Sequence, residues 1–239
     1  MAIIKKYSVR VVNISNKIEG VYTLELESMG KPFKYDVGQF LHLAIDEYDP
    51  SGQWPESRCF SIQTSPSEET IKITYAVKGK FTQRMQTELK PGKQVTLKLP
   101  YGDLFTQTHN KTNTVFVAGG TGITPFLSLF TDQSFSEYVN PQIYLGFRSE
   151  AYNIYEGELD CMMQIRSNNS NSFNLKETKF VKIFHEDVDG IIDIKAIFNE
   201  NGNSSDYFIS GPPVMIKNFK NYLVDQGVAE DQIKTDDWE

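Results

Sequence analysis

The hydrophobic period of this chain changes once, near residue 110, and one sheet cannot serve both patterns. Before that point apolar residues recur at every second position. Tyr22, Leu24 and Leu26 alternate with Val21, Thr23, Glu25 and Glu27. Ile71, Ile73, Tyr75 and Val77 alternate with Lys72, Thr74 and Ala76, and Val95, Leu97 and Leu99 with Thr96 and Lys98. A period of two puts one set of side chains inside and the other outside. Tyr7–Ile14, Gln39–Ile45 and Arg58–Thr64 are three further strand candidates, with turns at Gly30-Lys31-Pro32, Asp49-Pro50-Ser51-Gly52 and Lys90-Pro91-Gly92 between elements. Six short strands and one helix over about Thr82–Leu89 predict an antiparallel barrel.

After the polar stretch Thr106–Asn113 the pattern is different. Thr114–Ala118 is an unbroken run, as a strand buried on both faces requires. A Gly-rich turn and an apolar helix, Pro125–Phe130, follow it. Strands are then predicted at Gln142–Gly146, Phe180–His185, Asp206–Ser210 and Gln232–Asp236. Helices are predicted at Tyr155–Ile165, Ile192–Phe198 and Val214–Gln226. Strand–helix alternation predicts a doubly wound parallel sheet. The Ser/Asn-rich stretch Arg166–Asn174 reads as a mobile surface loop. A length of 239 residues suits two such domains. The boundary is expected near residue 110, giving domains 1–109 and 110–239.

Charge follows the same division. Residues 1–110 carry 14 basic against 12 acidic side chains, and residues 111–239 carry 10 against 19. The net charge of -7 argues against a nucleic-acid partner. No apolar run reaches the ~18 residues of a membrane-spanning helix, and the first ten residues do not read as a signal peptide. Two cysteines, Cys59 and Cys161, are too few for a four-cysteine zinc or iron–sulfur centre, and they suggest a reducing cytoplasm. His42, His109 and His185 share no metal-ligand spacing.

Four segments carry candidate chemistry. Gly119-Gly120-Thr121-Gly122-Ile123-Thr124-Pro125 lies between a buried strand and a helix. Its glycines permit a tight turn and close backbone approach, and Thr124 is placed to cap the helix with Pro125 in its first turn. Unpaired amides there favour a phosphate, although the same residues also make a ligand-free turn. Ser210-Gly211-Pro212-Pro213-Val214-Met215 follows a later strand, at the sheet edge where doubly wound folds bind ligands; alone it reads as an ordinary connection. Arg58-Cys59-Phe60-Ser61 puts Arg58 and Phe60 on one strand face and Cys59 and Ser61 on the other. Arginine suits a phosphate and an aromatic ring suits a planar ligand, while a plain barrel strand is the simpler reading of the segment alone. Gly79-Lys80-Phe81-Thr82 is a second helix start able to hold a pyrophosphate, or a simple cap.

In this order and spacing, and with Pro100-Tyr101-Gly102-Asp103-Leu104-Phe105, these segments resemble the ferredoxin–NADP reductase-like flavoprotein family over nearly the whole chain. The resemblance implies an antiparallel β-barrel flavin-binding domain followed by an α/β doubly wound parallel-sheet domain for NADH or NADPH. It implies that Arg58 pairs with the flavin nucleotide phosphate, that Phe60 lies against the isoalloxazine or ribityl chain, and that Ser61 hydrogen-bonds near flavin N5. The Gly79, Lys80, Phe81 and Thr82 amides would hold the pyrophosphate, with Val77 beside them, and two phosphate-binding elements favour FAD over FMN. Gly119, Gly120, Thr121, Gly122 and Thr124 would receive the pyridine nucleotide pyrophosphate, with Arg148 a further candidate phosphate ligand. Ser210, Gly211, Pro212 and Met215 would lie near the nicotinamide. Ser61, Ser210 and Asp236 are the implied catalytic groups, and Trp238 would shield the flavin unless the tail is simply edge-packed.

The sequence departs from the family pattern in Phe60, where tyrosine is commoner, and in Ser210, where cysteine is usual. Its Asp236-Asp237-Trp238-Glu239 ending matches only loosely. Phe184-His185-Glu186-Asp187 stands where NADPH-specific relatives carry Ser-Arg. Carboxylates there favour NADH. The implied activity is hydride transfer from nicotinamide to flavin and onward transfer to a separate acceptor such as ferredoxin or flavodoxin. Lys78, Lys80, Arg84, Lys90, Lys93 and Lys98 are either its docking face or a solvated surface. A free flavin or quinone reductase, and a weakly catalytic electron-transfer subunit, are the alternatives.

Overall fold

The computed structural model describes residues 3–167 and 180–236. Trp238 and most of the Ser/Asn-rich stretch lie outside the described residues. The chain divides into two compact units, Met1–Asp103 and Leu104–Glu239. Residues 104–109 thus pack with the second unit: Phe105 lies against Phe116, Phe126 and Phe208, and His109 against Tyr138 and Phe208. Phe105 stands just before the polar stretch Thr106–Asn113 and His109 lies within it, so the division falls before the expected boundary.

The first unit is a six-stranded antiparallel sheet: β1 (Lys5–Ile18), β2 (Val21–Ser28), β3 (Phe40–Ala44), β4 (Ser57–Ser61), β5 (Thr70–Ala76) and β6 (Gln94–Tyr101). The order is β4-β3-β6-β1-β2-β5. Its outer edges meet just beyond β4, where the Gln63 amide donates to the Lys72 carbonyl at 2.9 Å and Thr74 Oγ1 donates to Gln63 Oε1 at 2.6 Å. That contact curls the sheet towards a barrel, in line with the strand spacing. Leu24 and Leu26 are buried together with Val9, Leu41, Leu43, Ile71, Ile73 and Leu97. Helix α1 (Lys80–Glu88) adds Phe81 and Met85 to this core, an i,i+4 pair on one helical face.

The second unit is a five-stranded parallel sheet: β7 (Thr114–Gly119), β8 (Gln142–Phe147), β9 (Val181–His185), β10 (Asp206–Ser210) and β11 (Ile233–Thr235). The helices are α2 (Thr124–Phe130), α3 (Glu156–Ser167), α4 (Ile194–Asn201) and α5 (Pro213–Asp225). Alternation along the strands divides the core by face. Val115, Val117, Tyr207 and Ile209 pack with Ile194, Ile197, Ile216 and Phe219 of α4 and α5. Phe116 meets Phe126 and Phe130 of α2 on the other face. Thr114–Ala118 and Asp206–Ser210 are buried throughout, which is why they read as continuous strands rather than alternating ones. The sheet order is β11-β10-β7-β8-β9. The chain runs from β7 towards β8 and from β10 towards β11, in opposite directions across the sheet, so the switch point falls between β7 and β10. Among the described residues no helix is long and apolar enough to cross a membrane.

Candidate functional site

Each unit carries its own candidate site. In the second, β7 and β10 lie side by side with Ala118 opposite Ser210, and both strands end at the switch point. Gly119–Gly122 and Ser210–Gly211 leave from these adjacent ends. They touch through backbone: a Cβ on Gly122 would stand 2.5 Å from Gly211 Cα and N. Gly211 has φ of +151°, and its own Cβ would meet Met215 Cε at 2.6 Å. Met215 also covers Gly119 from the first turn of α5, behind Pro212 and Pro213. Gly120 adopts φ of +56° and faces open space. The turns therefore form a close-packed floor with an accessible backbone above it, a surface that admits a pyrophosphate and that side chains would fill.

Thr124 does not cap α2 as expected. The chain turns as a 3₁₀ helix from Gly120 to Ile123, so Thr124 enters an already helical run and its hydroxyl donates back to the Thr121 carbonyl at 2.9 Å. Pro125 sits in the first turn as expected. Ser210 is buried and donates to Asp236 Oδ2 at 3.3 Å, while the Asp236 amide donates to the Ile209 carbonyl at 3.1 Å. The structure brings these two implied catalytic groups together at the switch point. At the far strands Arg148 follows β8, exposed and 5.7 Å from the Tyr152 ring. Glu186 and Asp187 follow β9, also exposed, and their amides donate to the Phe147 and Arg148 carbonyls. A polar recess of about 390 Å³ lined by Thr114, Gln142, Tyr144, Glu200 and Asn201 opens at the opposite edge, where the strands begin. Parallel sheets bind nucleotides at the carboxyl ends of their strands, so this recess is not the nucleotide site.

In the first unit Arg58 is exposed on β4, and its guanidinium lies 5.2 Å from the Phe81 ring in the first turn of α1. The arginine and the helix start therefore adjoin. Gly79 caps that helix, with open space where a side chain would be. The Thr82 hydroxyl accepts from the Lys78 and Gly79 amides and donates to the Gly79 carbonyl. The Gly79 amide is thus committed to the cap, and the Lys80, Phe81 and Thr82 amides are the remaining donors of the first turn. An exposed arginine beside such a helix start fits a pyrophosphate. Phe60 and Ser61 are buried, Phe60 edge-on to Tyr75 with centroids 6.1 Å apart. Val77 is partly buried against the core, and its amide donates to the Gly20 carbonyl.

Two contacts have no counterpart in the sequence patterns. Glu56 Oε1 accepts from Arg58 at 2.9 Å, and its other oxygen lies 3.9 Å from Arg84. Cys59 meets His42 across the strand pair. Glu56 precedes Arg58 by two residues, and only the structure shows that it faces the arginine. Of the basic residues considered for docking, Arg84 is held by Asp46 and Glu88, and Lys98 lies 3.9 Å over the Trp54 ring.

An antiparallel sheet curled towards a barrel and a doubly wound parallel sheet define a two-domain protein. A family model described as an FAD-binding domain matches residues 4–125, and one described as an oxidoreductase NAD-binding domain matches residues 116–221. The chain belongs to the ferredoxin–NADP reductase-like family of FAD- and NAD(P)-binding oxidoreductases. It is similar to the reductase component of propane 2-monooxygenase from Mycolicibacterium smegmatis, with 24% identity over 94% of this chain and 65% of that protein. It is also similar to the phenol hydroxylase P5 protein of Acinetobacter pittii, with 24% identity over 98% of this chain and 66% of that protein. The chain therefore spans just under two thirds of the length of these relatives. Its fold is similar to that of a ferredoxin NADP+ reductase from Neisseria gonorrhoeae, with a TM-score of 0.71 and 15% identity over 99% of both chains.

Proposed function

We propose that the chain is an FAD-dependent NAD(P)H oxidoreductase that takes hydride from a nicotinamide and delivers electrons to a separate redox protein. The observation that carries this reading is the glycine floor at the β7–β10 switch point, where Gly122 and Gly211 are in backbone contact beneath an open Gly120. FAD supplies the two-electron acceptance and one-electron return when bound. The chain's part is to bind and orient. Arg58 and the Lys80–Thr82 amides hold the flavin pyrophosphate, Ser61 serves the flavin ring, and Gly119–Gly122 hold the nicotinamide nucleotide. Asp236 keeps the Ser210 hydroxyl proton directed at its carboxylate, so Ser210 Oγ presents its lone pairs to the incoming ring. Thr121 and Thr124 shape the turn, and Gly211, Pro212 and Met215 wall the nicotinamide side.

The exposed Glu186 and Asp187 carboxylates support NADH over NADPH, because they repel a ribose phosphate and accept from a ribose hydroxyl. Anaerobic titration of the purified protein is expected to bleach the flavin with NADH. The kcat/KM for NADH should exceed that for NADPH by about tenfold, the worth of ~1.4 kcal/mol of repulsion. No bleaching with either nucleotide would end the oxidoreductase reading, and a tenfold preference for NADPH would end the specificity reading alone.

The acceptor is a protein of the ferredoxin or flavodoxin kind or an oxygenase component; the similarity to the reductase component of a propane 2-monooxygenase supports a protein acceptor. Lys78, Lys80, Lys90 and Lys93 remain for its docking, since Arg84 is neutralised by its own carboxylates. A reducing cytoplasm suits Cys59 and Cys161, which are thiols.

Glu56 competes with the flavin phosphate for Arg58. An exposed ion pair is worth about 0–1 kcal/mol, so Glu56→Gln is expected to tighten FAD binding by about two- to fivefold. Flavin fluorescence quenching measures it, and weaker binding in the variant would mean that Glu56 orients Arg58 rather than opposing the ligand.

A further inference from the structure

We propose that His109 is an acid-released latch: its neutral ring fastens Thr106–Asn113, the segment just after the division between the units, onto the second unit, and protonation of the ring loosens that segment. The half-buried ring rests on two aromatics of the second unit. It stacks on Tyr138 with centroids 5.6 Å apart and meets Phe208 edge-on at 5.0 Å. Tyr138 and Phe208 are both buried, so the latch plate belongs to the core.

Hydrogen bonds fix the state of the ring. His109 Nδ1 lies 2.7 Å from the Gln107 carbonyl oxygen, which can only accept, so Nδ1 carries the proton. Nε2 is then an acceptor, and it takes the Tyr138 hydroxyl hydrogen at 2.7 Å. Burial, and then Glu137, keep that phenol protonated. An imidazolium carries hydrogens on both nitrogens, so Nε2–H and the phenol O–H would point at one another. The phenol must then turn its own hydrogen away from the ring. It has no second partner among the described residues, and a buried donor left unpaired is costly.

The charges around the ring also oppose a cation. Lys111 of the segment and Lys234 of β11 repel it, and Asp206 of β10 attracts it. Asp206 already accepts from the Asn110 amide at 2.6 Å, and Glu137, next to Tyr138, accepts from Lys111 at 2.6 Å. Lys234 is 4% exposed, with Nζ 5.8 Å from the centre of the Phe208 ring, so solvent screens its charge little. Burial above all, with both lysines adding to it against the Gln107 carbonyl and Asp206, holds the imidazole below its ordinary range.

The sign follows. A released His109 titrates at the ordinary value of about 6.5. Below that pH the released segment takes up a proton that the latched one refuses. The latch is therefore at full strength above about pH 6.5 and weakens as pH falls. One proton limits the change between pH 7.5 and 5.5 to about tenfold.

The test is amide hydrogen exchange of the full chain at pH 7.5 and 5.5, with rates corrected for the intrinsic effect of pH. The reporter is the Asn110 amide, which bonds Asp206, and the internal reference is Phe116–Ala118 in the central strand β7. The opening equilibrium at Asn110 is expected to rise about three- to tenfold at pH 5.5, the reference to rise less, and His109→Gln to remove the difference. A smaller rise at Asn110, the same rise in His109→Gln, or an equal opening of β7 would overturn the proposal. Should His109→Gln not fold, titration of the His109 ring in the unmodified chain by NMR decides: a midpoint below about 6.5 supports the latch, and one at or above it ends the proposal.

Discussion

Replacing Gly122 with alanine is expected to abolish most nicotinamide turnover while leaving FAD content intact. The new Cβ would sit 2.5 Å from Gly211 Cα and N and 2.7 Å from the Ser210 carbonyl carbon. These are backbone atoms at the end of one central strand, and no rotamer relieves the clash. The turns must separate, at the ~1–3 kcal/mol typical of overpacking. The shift moves Ser210 and the Gly119–Gly122 amides together. The kcat/KM for NADH should therefore fall by about ten- to a hundredfold, mostly through KM, in steady-state assays with ferricyanide. Flavin stoichiometry should not change, because Gly122 belongs to the second unit. Unchanged kcat/KM would show that the β7–β10 floor does not carry the nucleotide.

The second large effect is expected at Arg58. Its guanidinium is exposed, stands over Phe81 at the start of α1, and donates to Glu56 and to the Ser57 carbonyl. A charge-assisted hydrogen bond to a phosphate contributes about 1.5–3 kcal/mol. Arg58→Gln should thus weaken FAD binding by about ten- to a hundredfold, measured by equilibrium titration of the apoprotein. Its thermal stability without FAD should hardly change, since the ion pair with Glu56 is a surface one. Together with Glu56→Gln, which is expected to act in the opposite direction, this substitution separates a phosphate site from a structural salt bridge. Loss of stability with unaltered FAD affinity would assign Arg58 to the fold.

Much of this arrangement is legible in the amino-acid order. Leu24 and Leu26 are buried and Glu25 and Glu27 are not, because a strand with one face on a core must alternate. Thr114–Ala118 is readable as a central strand for the opposite reason, since both its faces carry helices. The glycines of Gly119–Gly122 mark a close approach, although not what approaches. That is Gly211, about ninety residues away in sequence, which no local pattern encodes. Thr124 has the sequence context of a cap and does not act as one, because a 3₁₀ turn starts the helix one turn early, a matter of how β7 meets α2. Glu56, within two residues of Arg58, carries no signal because a surface carboxylate beside an arginine is ordinary until the helix start is brought up to it.

What the amino-acid order determined by itself was the identity of the elements and the chemistry each could offer: two hydrophobic periods, two kinds of sheet, and glycine, arginine and hydroxyl groups at the junctions. Only the tertiary structure decided which of those junctions are neighbours. Strand order put β10 against β7 and set Asp236 on Ser210, and strand register set His42 on Cys59. The physical reason is that periodicity and turn chemistry act over a few residues. Pairing between distant strands depends on how all the apolar faces are buried at once, which is a property of the whole chain.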